Sequence, residues 1–192
     1  MKYRVMLIAL LLVSGSARSQ FVLDSLPKFF EDVSHTDTTR LSALLDSCEA
    51  LITANPGRVL EFAREAIRLA QHMGEDHRRA RAIYYLGRAH LLLNEYNAAL
   101  KVLRQGLEFT EQTGDSAARA DILNAIGAVY SYTGNYAEAL EYFLHALQIW
   151  EEMGDSALIA KSLNNIGVMY SYLDNHQKAL AVHRRSMRIR EA

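Results

Sequence analysis

The chain has 192 residues, of which 50% are hydrophobic, with 2 prolines, 10 glycines and a net charge of −1. This composition excludes a disordered or collagen-like chain, and the length suits a single domain. A near-neutral charge offers no basic stripe, so we expect no nucleic-acid partner.

The N-terminus has the three-part order of a secretory signal peptide. Met1 to Arg4 is basic, residues 5–13 form an uncharged apolar run, and small residues precede a candidate cut after Ser19. A membrane anchor would need about 20 apolar residues, which this run does not reach. We therefore predict a signal peptide over residues 1–19 and an exported protein, periplasmic or in the cell envelope.

Residues 20–38 show no clear period and read as an N-terminal linker segment. A degenerate hairpin is predicted over residues 39–74, with Pro56 in the favoured first turn of its second helix. Ser47 stands in this hairpin where the later units have a glycine. Cys48 is the only cysteine and lies among leucines, which favours a small buried hydrophobe over a reactive thiol.

From Gly74 onward the same residue types recur in steps of 40 residues, which is typical of a stacked repeat array. Four sets keep the step: Gly74, Gly114 and Gly154; Gly87, Gly127 and Gly167; Ala99, Ala139 and Ala179; Leu100, Leu140 and Leu180. We predict helical hairpins over residues 75–114, 115–154 and 155–192, the last of them open to truncation.

The hairpin over residues 115–154 has the clearest helix signals. Asp115 or Ser116 can accept backbone N–H bonds at the helix start. Gly134 and Asn135 both tolerate positive φ, which predicts the break between the two helices. Gly154 is expected to cap the second helix at its C-terminal end.

The motif residues of this hairpin resemble the tetratricopeptide repeat (TPR). They are Leu123-x-x-Ile126-Gly127-x-x-Tyr130 followed by Ala139-x-x-x-Phe143-x-x-Ala146. The resemblance covers about residues 39–192 and implies an all-α, TPR-type α-solenoid of about four antiparallel hairpins. The unit length is similar to the extended 40-residue repeats of kinesin light chains. Departures from the pattern are His90, Gly106, His183 and Ser186.

In such arrays the first helix of each unit lines the concave side, which the resemblance makes the binding face for a peptide or partner segment. Helical geometry places nine candidate side chains opposite the packed face. They are Tyr85, Arg88, Asp121, Asn124, Tyr132, Lys161, Asn164, Asn165 and Tyr172. The resemblance implies that the asparagines bind peptide backbone. The alternative is that they support local packing or face water. Tyr130 and Tyr170 fall on the packed face, where a core role is expected.

No catalytic or metal motif is present in the sequence. The seven histidines form no ligand set, and no nucleophile–base arrangement can be assembled. We therefore predict a protein that is not an enzyme and that needs no cofactor or metal.

Two further alternatives stay open. With its signal peptide, the chain is similar to the exported N-terminal sensory TPR region of bacterial signalling proteins, whose output domain would lie beyond residue 192. This implies a membrane-linked signalling partner. The sequence stops at the end of a second helix. Either the chain is a fragment of a longer protein, or we expect the open end to bind another copy or a partner. The basic run over residues 183–190 could bind an anion or a membrane surface. The alternative is a solvated helix face at the C-terminal end, which the helix dipole favours.

Overall fold

The computed structural model describes residues 37–191, so the predicted signal peptide and residues 20–36 lie outside the described part. Within that part the chain is entirely α-helical, with no strand. The helices are α1 (Asp37–Leu51), α2 (Pro56–Met73), α3 (Asp76–Leu92), α4 (Tyr96–Thr113), α5 (Ser116–Tyr132), α6 (Tyr136–Met153), α7 (Ser156–Tyr172) and α8 (His176–Glu191). None of these helices is long and apolar enough to cross a membrane.

The described residues divide into two compact units, one ending at Tyr85 and the other beginning at Leu86. In the first unit, α1 packs on α2 through buried leucines of α1 and through Val59 and Phe62 of α2. Asn55 caps α2 by accepting the Arg58 backbone N–H at 3.1 Å. Pro56 begins this helix, as predicted from its fixed φ.

In the second unit, α4 to α8 pack in chain order, each helix against the next. A buried cluster that includes Phe143, Trp150, Leu163 and Ile166 joins α6 to α7. The Ser162 hydroxyl donates to the Phe143 carbonyl at 3.2 Å inside this contact, so the buried polar group is satisfied. The hairpin of α7 and α8 therefore covers the apolar face of the hairpin of α5 and α6.

The repeat glycines mark the closest approach between the two helices of a hairpin. A Cβ added at Gly127 would lie 2.9 Å from the Phe143 ring and 3.2 Å from the Ala139 carbonyl oxygen. Gly87 lies in the same way against Leu103, and Gly167 against His183. Gly127 therefore lies where α5 and α6 approach each other most closely.

Left-handed glycines end the second helices. Gly74, Gly114 and Gly154 have φ of 70°, 72° and 73°. The predicted break at Gly134 and Asn135 is present, since one helix ends at Tyr132 and the next begins at Tyr136. Gly134 has a positive φ of 81°, whereas Asn135 has φ −87° and is the N-cap of α6. Asp115 caps α5 by accepting the Ala118 N–H at 3.0 Å.

The departures from the repeat pattern are accommodated by hydrogen bonds. The buried Ser186 hydroxyl donates to the Ala160 carbonyl at 2.7 Å. His90 Nδ1 lies 2.5 Å from Glu95 Oε2. Ser47, in the first hairpin, donates to the Ala43 carbonyl at 2.6 Å. Polar side chains at these positions therefore leave no orphaned hydrogen-bonding group.

Replacing Gly127 with alanine should lower the free energy of unfolding by about 1–3 kcal/mol, because the new methyl group overlaps Phe143 and the Ala139 carbonyl. Gly57→Ala is the matched control, since its Cβ would meet only Asn55 Oδ1 at 3.7 Å. The control should gain up to about 1 kcal/mol from helix propensity. Denaturant unfolding followed by circular dichroism measures both. If Gly127→Ala raised the free energy of unfolding as much as Gly57→Ala does, the close approach of the helices at Gly127 would be contradicted.

Burial raises the pKa of the Cys48 thiol to about 12, with a smaller opposing effect from Arg81. The thiol therefore stays protonated, and unreactive, well above neutral pH. We expect a thiol reagent at pH 9 to label the folded protein at least about a hundredfold more slowly than the protein in guanidinium chloride. Comparable labelling rates in the two conditions would show that Cys48 is accessible.

Candidate functional site

Two asparagines connect the first helices of consecutive hairpins. Asn165 Nδ2 on α7 donates to Asn124 Oδ1 on α5 at 3.2 Å. Both side chains are half-buried. The bond joins residues 41 positions apart in sequence, because the 40-residue repeat brings equivalent turns of α5 and α7 side by side. The structure thus brings two of the predicted site residues together.

The asparagine pair keeps free hydrogen-bonding capacity. Each side-chain amide carries two N–H donors and two acceptor lone pairs, and their mutual bond consumes one donor and one lone pair. The groups that remain are the kind that an extended peptide backbone can satisfy. The sequence left open whether these asparagines support local packing or bind a ligand. The remaining donors and acceptors allow the same two side chains to do both.

An exposed stripe on α7 borders the asparagine pair. Lys161, Asn164 and Val168 lie at i, i+3 and i+7, and all three are exposed. Asp121 on α5 is half-buried and already has an interaction partner. The surface therefore combines a cation, a free amide and a small apolar side chain along one helix.

The two tyrosines at the ends of α5 and α7 differ in their surroundings. Tyr172 stacks on Tyr136, with ring centroids 4.4 Å apart and an interplanar angle of 7°. Its equivalent, Tyr132, is 68% exposed and has no such stack among the described residues. The sequence analysis did not identify Tyr136 as a partner of Tyr172. The available signal was an aromatic residue at the start of α6, four residues after Tyr132.

The prediction that Tyr85 faces the binding groove is corrected by its burial. Its side chain is 5% exposed, and its hydroxyl accepts a hydrogen bond from Arg81 at 3.3 Å. The Arg81 guanidinium also lies 5.6 Å from the ring centroid, in a cation–π contact. Burial raises the pKa of the Tyr85 phenol, against the opposing effect of Arg81. Arg88, by contrast, is half-buried and has an interaction partner.

The tyrosines predicted on the packed face lie against the core and are only partly buried. Tyr130 stacks on Tyr142 with centroids 5.4 Å apart, and its hydroxyl accepts a bond from Arg104 at 2.8 Å. Tyr170 lies under the Lys178 ammonium, 5.5 Å from the ring centroid. These rings support the helix packing and do not form part of the α5–α7 surface.

The first unit contains an open cavity of about 450 Å³ between α1 and α2. Its lining residues are Arg40, Glu65, Arg68, Leu69 and His72. An ion pair between Arg40 and Glu65 neutralises part of its wall. Within residues 37–191, no group of three or more histidine, cysteine, aspartate or glutamate side chains could hold a metal ion.

Two family models match the sequence. Both describe the tetratricopeptide repeat, one over residues 118–192 and the other over residues 80–113, which together exceed half of the chain. No match was found among functionally curated proteins.

Several solved structures share the fold at low identity. A Rap protein complexed with competence and sporulation factor has a TM-score of 0.79 at 17% identity, covering 98% of this chain and 51% of that one. Aspartyl phosphate phosphatase F from Bacillus subtilis has a TM-score of 0.77 at 19% identity, covering 91% and 49%. BtubC (BKLC) from P. vanneervenii has a TM-score of 0.66 at 20% identity, covering 92% and 73%.

These likenesses confirm the predicted all-α solenoid fold class. The chain spans about half the length of the Rap and phosphatase structures that it matches. At such identities the likeness concerns the fold and not the activity.

Replacing Tyr172 with alanine should lower the free energy of unfolding by about 0.5–1.5 kcal/mol, because the stack on Tyr136 is lost. Tyr132→Ala is the matched control 40 residues earlier, and it should change stability by less than about 0.5 kcal/mol, because its ring is similarly exposed but has no stack among the described residues. Thermal and urea unfolding of both variants test the difference. Equal effects would mean that the stack contributes nothing to stability.

Proposed function

The chain belongs to the tetratricopeptide repeat family, and we propose that it is an extracytoplasmic interaction module that binds a peptide or partner segment on the face formed by α5 and α7. A tetratricopeptide repeat array is a protein–protein interaction scaffold, so its partners are proteins or peptides. The proposal adds the binding face and the compartment.

One observation carries the proposed binding face, namely the half-buried hydrogen bond between Asn165 and Asn124. It fixes two amides across neighbouring first helices, so less side-chain entropy is lost when a ligand binds. The exposed side chains of Lys161, Asn164 and Val168 lie on the same helix as Asn165 and offer contacts for side chains of a bound segment. Two fixed amides flanked by charged, polar and apolar side chains suit an extended peptide as ligand. They suit a flat protein surface less well.

The structural neighbours support binding as the activity. One of them is a Rap protein complexed with competence and sporulation factor, so this fold holds a partner in at least that protein. Another neighbour is an aspartyl phosphate phosphatase. We do not extend phosphatase activity to this chain, because the likeness is one of fold alone.

The compartment is proposed from the N-terminal pattern. A basic start, an apolar run and small residues before Ser19 support export by a cleaved signal. Mass spectrometry of the purified envelope form, together with cell fractionation, tests this. A mature protein that begins near residue 20 supports the proposal, and a cytoplasmic protein that retains Met1 rejects it.

A second candidate is the sensor region of a membrane-bound signalling protein such as a histidine kinase, a nucleotide cyclase or a transcriptional regulator. Its support is the signal-peptide pattern that precedes the repeats in the sequence. Reading the gene downstream of codon 192 tests this candidate. An in-frame transmembrane segment favours the sensor, and an immediate stop codon rejects it.

The double variant Asn124→Ala with Asn165→Ala should lose partner capture while helicity and melting stay nearly unchanged. The amides are only half-buried, so their removal should cost less than about 1 kcal/mol of stability. The measurement is a pull-down from cell-envelope extract with proteins quantified by mass spectrometry.

Gln148→Ala is the matched control for this pull-down, because it removes an exposed amide from α6. Its side chain bonds only locally, to Glu152 at 3.1 Å. Capture lost in the double variant and kept in the control supports the α5–α7 face. Capture that is unchanged in both variants removes the asparagine pair from the binding site.

A further inference from the structure

Two tyrosines at equivalent positions of the array have different surroundings. Tyr132 is the last residue of α5, and Tyr172, 40 residues later, is the last residue of α7. The Tyr172 ring lies on Tyr136, the first residue of α6. The equivalent of Tyr136 is Tyr96, the first residue of α4, yet among the described residues no stack joins Tyr96 to Tyr132. One repeat therefore supplies an aromatic partner for its neighbour's tyrosine, and the repeat before it does not.

The turn residue two positions before each first-helix partner explains this difference. Asn94 has a positive φ of 60°, and its side-chain oxygen accepts a hydrogen bond from the Tyr96 hydroxyl at 2.9 Å. The equivalent residue before Tyr136 is Gly134, which has φ 81° and no side chain that could accept such a bond. The bond to Asn94 fixes the hydroxyl end of Tyr96, so this ring stays away from Tyr132.

The end of α5 that carries the open ring is apolar. Tyr132 is 68% exposed, and one turn earlier on the same helix is the small side chain of Ala128. In the preceding hairpin the position equivalent to Tyr132 is Leu92, which is 38% exposed, and Leu93 beside it is 37% exposed. The C-terminal ends of successive first helices therefore present large apolar side chains to solvent.

The polar side chains of the nearby turns are already bonded within the same unit. The Thr133 hydroxyl donates to a carbonyl of α5 at 3.2 Å and accepts from Asn135 Nδ2 at 3.0 Å. The Glu95 carboxylate lies 2.5 Å from His90 Nδ1. A ligand that needs many hydrogen bonds, such as a sugar, would compete with these bonds. A planar apolar group would not, because stacking on Tyr132 requires no further donor or acceptor.

We propose that Tyr132 is a specificity-determining residue of the α5–α7 face and that its ring stacks with an aromatic side chain of the bound segment. The inference rests on the proposed function and adds the chemistry of the partner, an extended peptide that contains phenylalanine, tyrosine or tryptophan. Tyr136 on Tyr172, with centroids 4.4 Å apart and rings 7° from parallel, shows an aromatic ring in this place on the equivalent tyrosine. A tyrosine also offers rigid contact area at a low cost in side-chain entropy.

The distance from the asparagine pair limits where the aromatic residue stands in the bound segment. Tyr132 follows Asn124 by about two turns of α5, which is about 12 Å along the helix. An extended chain covers that distance with about four residues. The aromatic residue is therefore expected within about four residues of the backbone that the asparagines bind.

Charge argues against a membrane as the occupant of this edge. The three turns inside the hairpins, residues 92–96, 132–136 and 172–176, contain Glu95 and Asp174 and no lysine or arginine. Helices that lie on anionic membranes carry basic residues beside their apolar side chains, so these turns do not suit such a surface. A second copy that stacked its own Tyr132 here would make the chain a dimer, which sedimentation detects.

The test begins with a phage-displayed library of random peptides, selected on the immobilised full chain and on the variant Asn124→Ala with Asn165→Ala. We expect the peptides that need the asparagine pair to share an aromatic residue. Fluorescence anisotropy then measures the dissociation constant of one selected peptide and of its aromatic-to-leucine analogue.

Tyr132→Leu keeps an apolar side chain and removes the ring. It should raise the dissociation constant of the aromatic peptide about twofold to tenfold, because the stack is lost. The leucine analogue should bind the unchanged protein more weakly by a similar factor and should lose little further affinity in Tyr132→Leu, since the two changes remove one contact. Leu144→Ala, which removes an exposed apolar side chain from α6, is the control that should leave binding unchanged.

Asn94→Gly is a second variant, and it leaves Tyr132 itself in place. Glycine suits the positive φ of this position, and removal of the amide frees Tyr96. We expect Tyr96 to stack on Tyr132, seen as nuclear Overhauser contacts between the two rings, and the aromatic peptide to bind at least about twofold more weakly. Asp174→Gly is the matched control, because it changes the left-handed residue of the last hairpin, with φ 56°.

The outcomes separate this inference from the proposed function. Peptides that need the asparagine pair but share no aromatic residue, or that bind Tyr132→Leu as well as the unchanged protein, would overturn the inference and leave the proposed face standing. Peptides that bind the asparagine double variant normally, or a failure to select any peptide, would reject both.

Two further results would also count against the inference. A dimer in analytical ultracentrifugation that Tyr132→Leu dissociates would assign the ring to a second copy. In Asn94→Gly, a stacked Tyr96 with unchanged peptide binding would show that the ligand does not use the Tyr132 ring, and a Tyr96 ring that stays unstacked would overturn the role given to Asn94.

Discussion

The close approach of two helices at each repeat glycine is the contact on which the hairpins of residues 86–191 depend. In each one a second-helix side chain lies where a Cβ would otherwise be. The three contacts are Leu103 on Gly87, Phe143 on Gly127 and His183 on Gly167. The side chain above the glycine is aliphatic in one hairpin, aromatic in the next and an imidazole in the third. The packing therefore requires the space that the glycine leaves, and not one particular kind of side chain. The helix spacing that it sets determines where the next hairpin can stack.

The sequence predicted the features that depend on one backbone position or on the repeat period. Gly74 and Gly154 cap helices because only a left-handed residue ends a helix in this way, and that requirement is local. Pro56 and Asp115 mark helix starts for equally local reasons. The 40-residue period then predicts the order of helices, because equal units stack in equal ways.

The sequence did not predict contacts that depend on which side chains meet across helices. The sequence left open which of Gly134 and Asn135 adopts a positive φ, and Gly134 alone does so. Tyr85 was placed on the groove side by its angle on the helix, yet it is buried beside Arg81. The bond between Asn124 and Asn165 was likewise missed, because a helical wheel gives the direction of a side chain and not its neighbour on the next hairpin.

The shared packing also explains where information about binding can lie. Positions that pack between helices repeat every 40 residues, so they say how the array is built and little about its partners. Differences between equivalent positions are more informative. An exposed Arg190 stands where Trp150 is buried, and Tyr132 is unstacked among the described residues where Tyr172 is stacked. Because the backbone spacing is kept while these side chains change, each difference alters a surface without altering the fold, and surfaces of that kind are the ones that can acquire a partner.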